Sequence, residues 1–147
     1  MHLDPDVALE RAAAADHGVL ATLGQGRAAD LVPACFAIVG AWLAVPIDSV
    51  KPKGSTALGR VRNLERDPRA TLLVEHWDPA DWSRLWWVRL SLRHVRTQQL
   101  PSTGQVAEAL VDGLRSRYRQ YRDAPFDDVL VFRIERITGW SASPTSA

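Results

Sequence analysis

The segment Lys51-Pro52-Lys53-Gly54-Ser55-Thr56 contains two lysines, a proline, a glycine and two hydroxyl residues, and it leads into a predicted helix. Ammonium groups and the free N–H groups at a helix start both attract anions, so this composition suits a phosphate. Arg62 lies further along the same helix, where it could reach back one to two turns. From these residues alone, a solvated basic turn is the favoured interpretation. The segment does not match a P-loop, which argues against a nucleoside triphosphate.

Four tryptophans fall within eleven positions, at Trp77, Trp82, Trp86 and Trp87, in a chain that has six. In the predicted strand from Arg84 to about Arg96, Trp86 shares a face with Val88 and Leu90, which predicts core packing. Trp87 shares the other face with Arg89 and Ser91. An indole beside a guanidinium suits a planar heterocycle, and a dimer interface is the alternative interpretation.

The remaining reactive side chains suggest no catalytic group. No histidine pair has metal-ligand spacing, so we expect no metal site. Cys35, the single cysteine, lies in an apolar strand and is interpreted as inert packing. No nucleophile elbow and no carboxylate pair is present. If the protein is an enzyme, a cofactor must therefore supply the reactive group.

The order of the predicted elements indicates an α+β fold, with about six antiparallel strands and three helices arranged as a small barrel. The first helix starts at Asp4-Pro5, continues through Ala15 and is capped by Gly18. The second starts at Ser55 or Thr56, carries Leu58, Val61 and Leu64 on one face, and ends at Asp67-Pro68. The third runs from about Thr103 to Tyr121. The predicted strands are 19–23, 30–39, 42–47, 70–77, 84–96 and 129–137.

Length and composition set the broader limits. The 147 residues fit one domain, predicted to cover 1–141 with a flexible tail at 142–147. A formal net charge of +1 gives no overall attraction to nucleic acid or to an anionic membrane. The longest apolar run, Leu31 to Ile47, is interrupted by Pro33, Gly40 and Pro46, so no membrane segment is predicted. With no signal-peptide pattern and one cysteine, we expect a cytoplasmic protein.

The order of several motifs resembles the pyridoxamine 5′-phosphate oxidase-like superfamily. These motifs are the run from Leu31 to Ala37, then Lys51-Pro52-Lys53, Arg62-Asn63 and Asp67-Pro68. The string from Asp81 to Arg89, Trp-Ser-Arg-Leu-Trp-Trp-Val-Arg after the aspartate, is similar to an actinobacterial branch associated with the deazaflavin coenzyme F-420. The resemblance extends over nearly the whole chain and includes the closing Gly139-Trp140-Ser141.

This resemblance implies a split β-barrel homodimer with two sites between the subunits. Lys51 and Lys53 would bind the cofactor phosphate beside Ser55, with Arg62 and Asn63 nearby. The backbone of Pro33, Ala34, Cys35 and Phe36 would hydrogen-bond the cofactor ring, and Trp77, Trp87 and Trp140 would shape the substrate side. Two departures from the pattern, at 27–30 and 45–47, weaken the case for FMN.

Three functions follow as hypotheses. The first is an F-420-dependent reductase that transfers hydride to a small unsaturated molecule. The second keeps the fold and uses FMN, as an oxidase or a reductase. The third is a non-enzymatic binding protein for a flavin, a deazaflavin or haem.

Overall fold

The computed structural model describes residues 1–47, 56–96, 100, 104–123 and 128–143, with side chains of the second helix described from Gly59 onward. Its strands and helices, in chain order, are α1 (Pro5–Ala14), β1 (Gly18–Leu23), β2 (Ala29–Ala34), β3 (Ala37–Val39), β4 (Trp42–Ile47), α2 (Thr56–Arg66), β5 (Arg69–His76), a 3₁₀ turn (Trp82–Arg84), β6 (Trp86–Val95), α3 (Gln105–Arg117), α4 (Gln120–Asp123) and β7 (Asp128–Ser141).

Helix α1 begins where the sequence predicts. Asp4 is the N-cap, and its Oδ1 accepts a hydrogen bond from the Asp6 nitrogen at 2.9 Å. The predicted cap at Gly18 is wrong, because the helix ends at Ala14 and Gly18 is the first residue of β1. A Cβ at Gly18 would lie 2.8 Å from the Leu73 carbonyl oxygen, so the glycine allows β1 and β5 to approach each other.

The described strands form one antiparallel sheet in the order β2-β1-β5-β6-β7-β4-β3. The prediction of six strands is wrong by one, because the predicted strand 30–39 divides into β2 and β3. These two strands lie at opposite edges of the sheet, yet only Cys35 and Phe36 separate them. Three residue steps span at most about 10 Å, so the sheet must curl until its edges nearly meet. The result is the incompletely closed barrel of the split-barrel type.

The predicted third helix, 103–121, also divides. Helix α3 ends at Arg117, because Tyr118 adopts an extended backbone with φ −120° and ψ 112°. The short α4 follows, so the described residues contain four α-helices rather than three. The last strand is longer than predicted and continues past Ile137 to Ser141. The prediction that Asp67-Pro68 ends the second helix is confirmed, since α2 stops at Arg66.

The core fills the concave side of the sheet, beneath α1 and α2. Its largest fully buried side chains include Phe36, Leu72, Leu90 and Phe132. A second apolar cluster lies between α3 and the sheet around β3 and β4, where Ala37, Ala44 and Val131 meet Leu110 and Leu114. None of the helices in the described ranges is long and apolar enough to cross a membrane.

Candidate functional site

The convex side of the sheet is covered by α3 only near β3 and β4, and the rest is open. Strand register identifies the side chains that share this surface, since residues directly opposite each other in an antiparallel pair point to the same side. We call it the open face. Its members on β2, β1, β5, β6 and β7 include Ala29, Leu31, Pro33, Val19, Ala21, Leu23, Arg69, Thr71, Leu73, Glu75, Trp87, Arg89, Ser91, Arg93, Arg136, Thr138 and Trp140.

Two tryptophans lie side by side on the open face. Trp87 is directly opposite Trp140 in the β6–β7 pair, and both are half-buried. The Arg89 guanidinium carbon lies 5.7 Å from the centre of the Trp87 ring. None of the ion pairs between described residues involves Arg89. The site therefore offers two adjacent indoles and a cation not neutralised by a carboxylate in the described structure, which suits a planar ligand with anionic or carbonyl groups.

A second aromatic pair lies beyond the end of β5. Trp77 and Trp82 have ring centres 5.5 Å apart and are 52% and 66% exposed. The 3₁₀ turn that carries Trp82 is tied down, because Asp81 accepts hydrogen bonds from the backbone nitrogen and hydroxyl of Ser83. These bonds lower the pKa of Asp81. Both rings are exposed to water, and Trp77 lies two residues along the chain from Glu75 of the open face.

Trp86 behaves as predicted from its strand face. It is half-buried and packs against the main core on the concave side. The Arg11 guanidinium of α1 lies 5.7 Å from its ring centre. Trp86 and Trp87 therefore project to opposite sides of the sheet, and only Trp87 is available on the open face.

The segment Pro33 to Phe36 is divided between the two sides. Pro33 is exposed on the edge strand β2, Ala34 and Phe36 are buried, and Cys35 is half-buried. The Phe36 nitrogen donates to the Tyr118 hydroxyl at 3.2 Å, and this hydroxyl also lies 2.8 Å from the Asp16 carbonyl oxygen. Burial raises the pKa of Tyr118. The Phe36 nitrogen is therefore already hydrogen-bonded to Tyr118, which holds in place the link from β2 to β3 at Cys35 and Phe36.

Asn63 is buried within the fold and hydrogen-bonds to neighbouring side chains. It is 3% exposed, and its Nδ2 donates to Thr22 Oγ1 at 3.0 Å and to Asp30 Oδ2 at 2.7 Å. Its Oδ1 accepts from Arg66 Nη2 at 3.0 Å. The bond from Asn63 is the first cause of the lowered pKa of Asp30, followed by Arg27. Because Thr22 points into the core, Asn63 lies on the opposite side of the sheet from Trp87 and Trp140.

The predicted site residues thus lie in several different places, with Cys35 half-buried between β2 and β3 and Trp77 exposed beyond the end of β5. Pro33, Trp87 and Trp140 share the open face, whereas Ala34, Phe36 and Asn63 are buried within the fold. Arg62 is exposed on α2. Lys51, Lys53 and Ser55 lie outside the described residues, although α2 begins at Thr56, directly after them. Sequence reasoning missed the role of Tyr118, which falls within the predicted third helix.

A cleft of about 460 Å³ opens elsewhere, between the end of α2 and the end of β6. It is lined by Leu64, Glu65, Pro68, Arg93, His94, Val95 and Arg96. Burial, and secondarily the charge of Arg96, lowers the pKa of His94. None of the predicted cofactor residues lines this cleft.

Comparison with solved structures supports the fold. The chain is similar to an FAD-binding protein from Mesorhizobium loti, with 17% identity, a TM-score of 0.69 and coverage of 95% and 93% of the two chains. An FMN-binding protein from Syntrophomonas wolfei matches with 15% identity, a TM-score of 0.65 and coverage of 93% and 88%. A candidate pyridoxamine 5′-phosphate oxidase from Corynebacterium glutamicum matches with 15% identity, a TM-score of 0.57 and coverage of 95% and 94%.

A haem storage protein from Vibrio cholerae has the same fold as well. No protein-family profile and no curated protein matches the sequence. At these identities the comparisons establish a fold that flavin-binding and haem-storing proteins share, and the chemistry has to be argued from the site.

Proposed function

We propose that the protein is a homodimeric oxidoreductase that binds a flavin-type cofactor, with the deazaflavin F-420 as its preferred form, and reduces a small unsaturated molecule. The observation that carries this proposal is the open face, where Trp87, Trp140 and Arg89 lie together. Two adjacent indoles provide stacking area for a tricyclic ring. The guanidinium provides positive charge at the edge of that area.

The apolar character of the open face supports a dimer. Leu31, Leu73 and Leu23, at the end of β1, are 66%, 39% and 40% exposed, and Pro33 is exposed beside them. A contiguous apolar surface of this kind is unusual on a monomer and typical of an interaction site. A second copy that covers the surface would also exclude water from a ligand held against Trp87 and Trp140.

The cofactor, when bound, would supply the hydride, and the protein would hold and orient it. In this proposal Lys51 and Lys53 bind the phosphate of the cofactor next to the start of α2, where free N–H groups add to their charge. Exposed Arg62 gives further positive charge on the same helix. Trp87 and Trp140, which the resemblance assigns to the substrate side, hold the ring in this proposal. The backbone of Pro33, Ala34 and Cys35 hydrogen-bonds the edge of the ring. Trp77 and Trp82 contribute apolar surface for the substrate.

FMN is the second candidate cofactor, and the flavin-binding proteins of the same fold are the observation that favours it. The positions at 27–30 and 45–47, where the chain departs from the pattern described above, are the reason for placing F-420 first. A binding protein without turnover remains the third candidate.

The proposal is tested by titrating the protein with F-420 and with FMN while recording tryptophan fluorescence. We expect saturable quenching by F-420 at micromolar concentration, weaker quenching by FMN, and a dissociation constant at least tenfold higher when Lys51 and Lys53 are both changed to Ala. The matched control is Arg119→Ala, an exposed cation next to α4. Lack of a response to both ligands would refute the cofactor assignment. Binding without reduction of any acceptor would favour the third candidate.

A further inference from the structure

Residues 1–3 add a short extended segment to the sheet beside the end of β7. The Met1 nitrogen donates to the Ser141 carbonyl oxygen at 2.6 Å, and the Ser141 nitrogen donates to the Met1 carbonyl oxygen at 2.9 Å. The Leu3 nitrogen donates to the Gly139 carbonyl oxygen at 3.0 Å. Between these bonds His2 forms an antiparallel bridge with Trp140. The segment is therefore held at both ends.

The pairing decides to which side His2 projects. Leu3 packs against the main core, and Gly139 and Ser141, on either side of Trp140, are buried. Because successive side chains of an extended strand alternate between the two sides of a sheet, His2 and Trp140 both project to the open face. Directly opposed residues have Cβ atoms about 4.5–5.5 Å apart. His2, which is exposed, therefore lies beside Trp140 on the open face.

His2 completes a row of four side chains across the open face. Glu75 is opposite Trp87, Trp87 is opposite Trp140, and Trp140 is opposite His2. Neighbouring strands are about 4.8 Å apart, so the row is about 14 Å long. It consists of two indoles with a carboxylate at one end and an imidazole at the other, with Arg89 alongside. A flat ring system stacked on the two indoles would meet the imidazole at its edge.

We propose that His2 is a ligand-contacting residue and that it hydrogen-bonds the edge of a planar heterocycle held against Trp87 and Trp140. This inference rests on the proposed function. Imidazole offers a donor and an acceptor when neutral and two donors when charged, so the recognised edge carries ring carbonyl or ring nitrogen groups. The segment before α1 thus contributes to the binding site as well as to the sheet.

Chemical protection of histidines tests the contact on the unmodified protein. The reagent is diethyl pyrocarbonate, and mass spectrometry follows the carbethoxylation of each histidine with and without saturating F-420, and separately FMN. His17 is the internal control, because it is also exposed but lies between α1 and β1. We expect the bound ligand to slow modification of His2 at least fivefold and to leave His17 unchanged. Equal rates at His2 with and without ligand would overturn the proposal.

Variants give the second readout. Loss of one hydrogen bond predicts a dissociation constant about three- to tenfold higher for His2→Ala, with a smaller rise for His2→Gln, which keeps a donor and an acceptor. His17→Gln is the matched control and should bind like the wild type. The affinity tag belongs at the C-terminus, so that the pairing of residues 1–3 with β7 is undisturbed.

The outcomes separate this inference from the proposed function. If the wild type binds F-420 or FMN while His2 is unprotected and His2→Ala binds equally well, the contact is wrong and the cofactor site stands. If the wild type binds neither ligand, both proposals are refuted. Protection by FMN but not by F-420 would keep the contact and change the cofactor.

Discussion

Replacing Asn63 with alanine should lower the free energy of unfolding by about 2–3 kcal/mol. The amide is buried and donates to the hydroxyl of Thr22, which is itself 1% exposed. Loss of a buried hydrogen bond costs about 0.5–1.5 kcal/mol, and the unsatisfied partner adds about 1–3 kcal/mol before relaxation. Asp30 and Arg66 are reached by water, which can replace their bonds to the amide. The buried Thr22 hydroxyl therefore accounts for most of the loss.

Urea denaturation followed by tryptophan fluorescence measures this change, at one protein concentration because dimerisation would shift the midpoint. With a slope of about 1–3 kcal/mol per molar urea, the midpoint should fall by about 1 M. Glu65→Ala is the control, an exposed change on the same helix. A midpoint for Asn63→Ala equal to that of Glu65→Ala, together with weaker cofactor binding, would refute the structural assignment. That result would place Asn63 at the ligand, as the family resemblance implies.

Two further predictions concern the close approach of β1 and β5 and the hydroxyl of Tyr118. Gly18→Ala places a methyl group 2.8 Å from the Leu73 carbonyl oxygen and should lower the free energy of unfolding by about 1–3 kcal/mol. Gly59→Ala in α2, with no described atom within 4 Å of the new methyl, should raise it by about 0.5–1 kcal/mol. Thermal unfolding distinguishes them at about 3 °C per kcal/mol, and an unchanged melting temperature for Gly18→Ala would contradict the close approach of β1 and β5. Tyr118→Phe removes the hydroxyl that binds Phe36 and should cost about 1–2 kcal/mol at neutral pH. Burial raises the pKa of Tyr118, so its hydroxyl contributes fully to the free energy of unfolding below the ordinary pKa of 10.0. This contribution declines as pH rises through the pKa of the folded state. The difference in unfolding free energy between wild type and Tyr118→Phe should therefore narrow in alkali. A difference that stays constant above about pH 10.5 in urea titrations would argue against a tyrosine held neutral by burial.

Local patterns were sufficient for much of the fold. Alternation in β6 correctly separated buried Val88, Leu90 and Leu92 from Trp87 and Arg89. Asp4-Pro5 and Asp67-Pro68 marked helix ends because caps and proline act over a few residues. The crossing at Cys35 and Phe36 could not be found in this way. It depends on two strands being opposite edges of one curled sheet, which is a property of the whole chain.

The candidate site was only partly predictable for the same reason. Trp87 and Arg89 were recognised because they are neighbours on one strand. Asn63 was expected at the cofactor, but its partners Thr22 and Asp30 come from a distant hairpin. No sequence pattern assigns a role to His2, and only its pairing with Trp140 brings it to the open face. The histidine itself carries no local signal of that position.

Trp140 reaches the open face because β7 contains an irregularity. Opposite the step from Ser91 to Leu92, the partners are Arg136 and Ile134, so Glu135 is an extra residue in β7. Phe132 and Ile134 face the core before it, and Ile137 and Gly139 do so after it. Uninterrupted alternation from Phe132 would put Trp140 inside and Gly139 outside.

The bulge exchanges the sides to which the following side chains point, so that the Trp140 indole lies on the same side as Trp87. Bulges beside functional sites commonly redirect a side chain in this way. Its sequence signal is Glu135-Arg136, two successive charged residues that are both exposed within an alternating strand. The aromatic row of the open face therefore depends on a backbone insertion in β7 as much as on the identity of its side chains.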